Sequence, residues 1–363
     1  MAAIKQFDAL TYDDVLLVPQ YSDIESRKEI DISSHLSKLD KLELPIFASP
    51  MDTVCAANMG VAMTFHGGMG IIHRYMDIES QVSSVDQVFK TSIQNQYLDK
   101  HPTLRDEDHI LLVGVAVGAT GDYLERAQAC VKAGATLVCI DVAHGHHVHV
   151  RRAIENLKKN LPGDIQLMAG NVATKQAFDD LADWGAEIIR CNIGGGSICT
   201  TRVETGHGVP GLETVIDCSR SHHAQAGNVK IVADGGIKNA GDIVKAMAAG
   251  ADFVMLGSLL AGHDEAPGRL FQTTDGSRKE YRGMASVEAQ LAAGRKPSSL
   301  EGIASSVPSK GPVHDTLEYL ENNIRSGFSY TGARNIQELR EKAVFVRQTS
   351  AGQVESSAHI LKR

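Results

Sequence analysis

Short apolar, β-prone runs recur along the chain, each separated from the next by a helical stretch. They are LPIFAS from Leu44, MGIIHR from Met69, ILLVGVAV from Ile110, LVCID from Leu137, IQLMAG from Ile165, EIIRC from Glu187, VKIVAD from Val229 and DFVMLG from Asp252. Amphipathic segments such as YLERAQACVKAG and AGDIVKAMAAG lie between them. Runs that are apolar throughout, rather than alternating, predict strands covered on both faces, as in a parallel sheet. Eight such units predict an α/β fold, a closed (β/α)8 TIM barrel, with an open doubly wound sheet as the structural alternative.

Polar or glycine-rich residues follow nearly every run: SPMDT, HR, DVAHGHH, GNVAT, NIGGGSIC, DGG and GS. In a barrel these gather at the C-terminal face, where such enzymes place their chemistry. After the eighth run the pattern changes. Residues from about 268 to 311 are too many and too polar for an ordinary connection, and predict a flap over the barrel mouth. The stretch TLEYLENNIRSGFSYTGARNIQELREKA then predicts one or two helices outside the barrel. The whole chain, 1–363, reads as one barrel domain.

Composition narrows the classes. With 43% hydrophobic and 22% charged residues, the chain is that of an ordinary soluble globular protein. No apolar run approaches a membrane span, and MAAIKQFDALTYDD lacks the apolar core of a signal peptide, so the expected location is the cytoplasm, with no membrane partner. The net charge of −8, without a basic stripe, argues against nucleic acid as a partner. The six cysteines are spread without a CxxC pair, which indicates neither a zinc site nor a disulfide framework.

One cysteine is set apart. In GGGSICTTR, Gly194–Arg202, Cys199 stands among glycines and hydroxyl side chains, where a thiol is placed to act as a nucleophile on a closely approached ligand. ADGG (Ala233–Gly236) and LGS (Leu256–Ser258) follow the seventh and eighth runs, where many barrels cradle phosphate on backbone amides. Gly236, Gly257 and Ser258 are the candidates, with Ser197 and Tyr281 completing the shell and Asp234 accepting from ribose hydroxyls or, alternatively, capping the next helix. The histidines of AHGHHVH invite a metal reading, but they begin a helix without carboxylate partners in the sequence.

These residues carry a resemblance. From LTYDDVLLVP through MDTV, IDVAHGH, MAGNVAT, GSICTTR, ADGGI, VMLGS and EYRGM to VPSKG, the chain resembles the IMP dehydrogenase/GMP reductase family along nearly its whole length. The resemblance implies Cys199 attack on purine C2, a covalent adduct, and hydride passing to or from a nicotinamide. It implies a substrate site of Ser49, Met51, Ser197, Asp234, Gly235, Gly236, Gly257, Ser258, Tyr281, Arg282, Gly283 and Met284. For the nicotinamide cofactor it implies Asp141, Ala143, His144, Asn171 and Gly194, and a homotetramer is the family's usual assembly. The Gly194, Gly196 and Cys199 carbonyls would bind a monovalent cation, potassium, a simple tight turn being the alternative.

The family contains two reactions. Its dehydrogenases oxidise IMP to XMP with NAD and activate water with an arginine beside a tyrosine on the flap. No Arg-Tyr pair lies between Tyr281 and Gly311, where the candidate arginines are Arg282 and Arg295. Glu301 instead matches the reductase glutamate that works with the threonine two residues after the cysteine, Thr201. The short connection from Met76 to His109 leaves no room for the CBS pair that dehydrogenases commonly insert, and Thr205–Gly206 is reductase-like. SPMDTV, GGMGIIHR and DEAPG pull the other way, Gly195 stands where proline is usual, and VPGLE replaces a common proline-glutamine. The expectation is NADPH-dependent reductive deamination of GMP to IMP and ammonia. An IMP dehydrogenase and a silent purine-nucleotide-binding barrel are the alternatives.

Overall fold

Eight parallel strands close on themselves in chain order: β1 (Ile46–Ala48), β2 (Met69–Ile72), β3 (Gly114–Val117), β4 (Leu137–Asp141), β5 (Gln166–Val172), β6 (Ile188–Cys191), β7 (Lys230–Asp234) and β8 (Phe253–Leu256). This is the (β/α)8 barrel that the eight apolar runs predict. The structure, a computed structural model, describes residues 4–5, 8–37, 40–94, 104–105, 110–292, 294, 296–297 and 300–356.

The runs are apolar throughout because alternate residues enter two separate cores. In β4, Leu137 and Cys139 point into the barrel with Phe47, Ile71, Met168 and Phe253, whereas Val138 and Ile140 face the surrounding helices. Phe47 and Phe253 pack tilted inside it, with ring centroids 5.2 Å apart. Two of the surrounding helices show how side-chain caps set their starts. Thr174 caps Lys175–Asp183 by accepting from the Ala177 N–H at 3.2 Å, and Asn239 caps Ala240–Ala248 by accepting from the Asp242 N–H at 3.0 Å.

Three elements differ from the sequence reading. ILLVGVAV does not form one strand: Ile110–Leu111 pairs with Leu104–Arg105, Val113 turns aside to bond Thr136, and only Gly114–Val117 enters the barrel. The region 268–311, expected as a flap, is built from regular elements. It holds an antiparallel sheet of β9 (Leu270–Thr273), β10 (Gly276–Arg282) and β11 (Ala304–Pro308), with a helix at Val287–Ala292. Its buried lysine is satisfied by the segment that leads into it: Lys279 Nζ donates to the carbonyls of His263 at 2.8 Å and Ala266 at 2.5 Å. Finally, Phe345–Arg347, beyond the terminal helices Val313–Thr331 and Ile336–Lys342, pairs antiparallel with Val15–Leu17. Much of the connection from Met76 to His109 lies outside the described residues, as does Arg295. Among the described residues no helix is long and apolar enough to cross a membrane.

Candidate active site

The strand ends open into a cleft of about 340 Å³, a size that suits a small ligand. Cys199, Thr201 and Glu301 line it, as do Ser49, Met51, Ser197, Asp234, Gly235, Gly236, Gly257, Ser258, Tyr281, Gly283 and Met284. Asp141, Ala143, Asn171, Gly194 and Gly196 also face it. Residues from six strand ends and the flap therefore meet at one place.

Of the six cysteines, five are buried, and burial pushes the Cys139 thiol up to about 12 and the Cys130 thiol up to about 11. Cys199 alone is partly exposed. Its Sγ lies 3.2 Å from Thr201 Oγ1, and that hydroxyl donates to Glu301 Oε2 at 2.7 Å. The contact depends on the flap. The Thr200 N–H donates to the Glu301 carbonyl at 3.0 Å, Cys199 bridges Gly302, and the Ile303 N–H donates to the Ile198 carbonyl at 3.1 Å. A short backbone ladder thus docks the flap carboxylate onto the cysteine loop.

At the base of the cleft, Arg190 projects from β6 between two carboxylates. It donates to Asp234 Oδ2 from Nε at 3.1 Å and Nη2 at 2.8 Å, and to Asp141 Oδ1 from Nη1 at 2.5 Å. Burial opposes its charge, but Asp234 and Asp141 more than offset that and hold the guanidinium well above its ordinary range. Asn171 Nδ2 also donates to Asp234 Oδ2 at 2.7 Å. Three of these donors, Arg190 Nε and Nη2 and Asn171 Nδ2, converge on Asp234 Oδ2 and fix the carboxylate in the lining of the cleft. Asp234 is not a helix cap, because Asn239 takes that role. Arg190 was legible as a charge inside the apolar run EIIRC, a placement that demands buried partners.

At the other end, Ser197 Oγ and Tyr281 Oη are 3.1 Å apart, and burial pushes the phenol up, keeping it a neutral donor. Gly235 and Gly236 both adopt positive φ, 83° and 78°, which turns this loop back beside Gly196. Gly195 is held for a different reason. Asn192, itself at φ 149°, donates from Nδ2 to the Gly235 carbonyl at 3.2 Å, and a Cβ on residue 195 would lie 2.1 Å from that nitrogen. The Asn192 amide fills the space a side chain at 195 would need and ties the cysteine loop to the phosphate-type loop. Arg202 clamps the same loop from behind, donating to the Val209 carbonyl at 2.7 Å and the Ile193 carbonyl at 3.2 Å.

Some expected residues lie elsewhere. Arg282 does not line the cleft: its guanidinium donates to Asp52 Oδ2 from Nε at 3.0 Å and from Nη2 at 2.5 Å, and to Glu280 Oε1 at 3.1 Å. That pairing anchors the flap to the loop after β1. His144 sits in an adjoining cavity with His147, His149 and Arg74. His146 does have a carboxylate partner, Asp180 Oδ2 at 2.7 Å, supplied by a helix that sequence proximity does not reveal. At the cation candidate, the Gly196 carbonyl accepts the Cys199 N–H at 3.1 Å, which is the tight-turn alternative in geometry.

The comparisons agree with this arrangement. Residues 9–359 match the family model described as IMP dehydrogenase / GMP reductase domain. The chain is 33% identical to inosine-5'-monophosphate dehydrogenase of Nitrosopumilus maritimus over 97% of its length and 98% of that protein's. It is also 33% identical to GMP reductase of Leishmania major, over 98% of each. A cysteine-to-alanine variant of GMP reductase from Trypanosoma brucei, in complex with guanosine 5'-monophosphate, superposes with a TM-score of 0.89 at 33% identity, covering 97% of this chain and 98% of that one. The alignments run to 473 and 482 positions against the 363 residues here, so the dehydrogenase and the reductase alike carry residues without counterpart in this chain. Length therefore does not choose between the two reactions. The match over residues 9–359 places this chain, whose Cys199 on the loop after β6 shares a cleft with the glycine-rich loops after β7 and β8, in the IMP dehydrogenase/GMP reductase family of oxidoreductases.

Proposed function

We propose that the chain is a GMP reductase, converting GMP and NADPH to IMP, ammonia and NADP+ through a covalent Cys199 adduct. The observation that supports this reading is the chain of contacts from Cys199 Sγ through Thr201 Oγ1 to Glu301 Oε2. Cys199 attacks purine C2 as its thiolate, and a proton held by Glu301 passes through the Thr201 hydroxyl to the 2-amino group as the C–N bond breaks, so ammonia leaves rather than an amide anion. NADPH, when bound, would supply the hydride to C2; breaking of the carbon–sulfur bond then releases IMP and regenerates the thiolate, and Glu301 regains its proton from solvent.

Asp234 Oδ1 receives the ribose hydroxyls, and Ser197, Gly236, Gly257, Ser258 and Tyr281 surround the phosphate. The residues fit a nicotinamide beside the purine. Arg74 Nε is buried without a hydrogen bond among the described residues, and Arg74 lines both the catalytic cleft and the cavity that holds His144, His147 and His149. The cleft thus continues in the direction a dinucleotide needs. Of the two candidate arginines for a dehydrogenase, Arg282 is occupied by Asp52 and Glu280 rather than free to activate water, and Arg295 lies outside the described residues.

Isotope-labelled GMP with NADPH tests the proposal. Labelled ammonia and IMP are the expected products. NADH formation from IMP and NAD, with no deamination, would overturn it in favour of the dehydrogenase, and nucleotide binding without turnover in favour of a silent barrel.

The coupling of Asn192 to Gly195 makes a separate prediction. Gly195→Ala should lower kcat/KM for GMP by about 10²-fold, the size expected when a reacting group is displaced by roughly 1 Å. Adding Asn192→Gly, which vacates the space, should restore most of the loss. Steady-state NADPH oxidation measures both, and an unrescued double variant would show that the amide is not what Gly195 accommodates.

A further inference from the structure

The histidines prominent in the sequence do not converge on a point, but another pair does. On the outer side of the barrel, the helix Lys175–Asp183 packs against the turn that begins the short helix His222–Gln225 and leads into β7. There the ligand atoms of Asp179, His222 and His223 all lie within 4.8 Å of one another. We propose that Asp179, His222 and His223 form a binding site for a borderline transition-metal dication of the Zn2+ or Co2+ class, separate from the purine cleft.

The donor set carries the choice of metal. Two imidazoles and one carboxylate suit Zn2+ and Co2+, whereas Mg2+ and Ca2+ require mostly oxygen. The three donors also have orienting partners. Ser221 Oγ donates to Asp179 Oδ1, and Asp183 Oδ1 lies 2.9 Å from His223 Nε2, leaving His223 Nδ1 for the metal. A carboxylate on the far nitrogen of a ligating histidine fixes the ring and raises its basicity. His222 is exposed and its ring centroid lies 3.9 Å from that of His223, the two planes tilted by 37°, so rotation of these side chains brings the donors toward the separation of a metal shell. One cation already competes: Lys175 Nζ is 2.6 Å from Asp179 Oδ2. That ammonium is well exposed, at 41%, and such surface pairs are weak, so a dication displaces it. Occupation would tie the helix Lys175–Asp183 to the segment entering β7, whose far end carries Asp234.

Titration of the metal-free, full-length protein with Co2+, followed by its visible d–d absorption, tests the site. One equivalent with a nitrogen–oxygen spectrum is expected, displaced by Zn2+ and not by millimolar Mg2+. His223→Ala and Asp179→Asn should each weaken Co2+ by about tenfold or more, in line with losing one ligand or its support. His222→Ala, at an exposed position that does not threaten the fold, should do the same. Lys175→Ala should tighten binding several-fold, an effect that loss of structure would not produce, and His66→Ala should leave it unchanged. A near-ultraviolet thiolate-to-cobalt band as the sole signal would assign the metal to a cysteine and overturn the proposal. So would affinity unchanged in His222→Ala, or no binding at all.

Discussion

Cys199→Ser is expected to abolish turnover, by at least about 10³-fold, while GMP still binds. The reason is local. A serine hydroxyl gives up its proton far less readily than a thiol and is a poorer nucleophile toward the purine C2 carbon, so the adduct does not form at a useful rate. Binding rests on other groups. In the proposed complex Ser197, Tyr281 and the Gly235–Gly236 loop hold the nucleotide, and the Ser197–Tyr281 contact and the loop's backbone do not involve Sγ. Calorimetry with GMP and steady-state NADPH oxidation separate the two effects. Activity within threefold of the parent would remove the covalent step from the mechanism.

Glu301→Gln distinguishes the two halves of the reaction. Glutamine still accepts from Thr201 Oγ1 and leaves the Thr200–Glu301 backbone contact in place, so the flap stays docked, but it cannot carry the proton. Deamination of GMP should therefore fall by about 10²-fold or more, the usual size for losing a general acid–base group. IMP with NADP+ enters from the other side of the adduct, where no amine leaves. Rapid mixing should then show a retained burst of reduced-nicotinamide absorbance without steady-state turnover. Equal loss of both half-reactions would make Glu301 only a flap anchor.

The barrel was legible because burial on both faces leaves a local mark: a strand with helices outside and a packed interior is apolar at most positions, not at every second one. The site loops were legible for a similar reason. Glycines and hydroxyls directly after a strand announce close approach to a ligand, and Cys199 stood among them. Glu301 was reached only through resemblance, since it meets Thr201 across 100 residues of chain.

What the tertiary structure decided was pairing. Arg282 reads as a site residue beside Tyr281, yet Asp52, 230 positions away, turns it to the flap anchor. Arg190 reads as an anomaly in a strand until Asp141 and Asp234 arrive on either side of it. Gly195 reads as a departure from the family pattern until the Asn192 amide is found in the space its side chain would fill. The sequence by itself determined which segments are buried and where the chain can approach a ligand, because hydrophobic periodicity and glycine freedom act within a few residues. Which charges meet, and which side chain fills a given gap, is set by distances across the barrel that no spacing along the chain encodes.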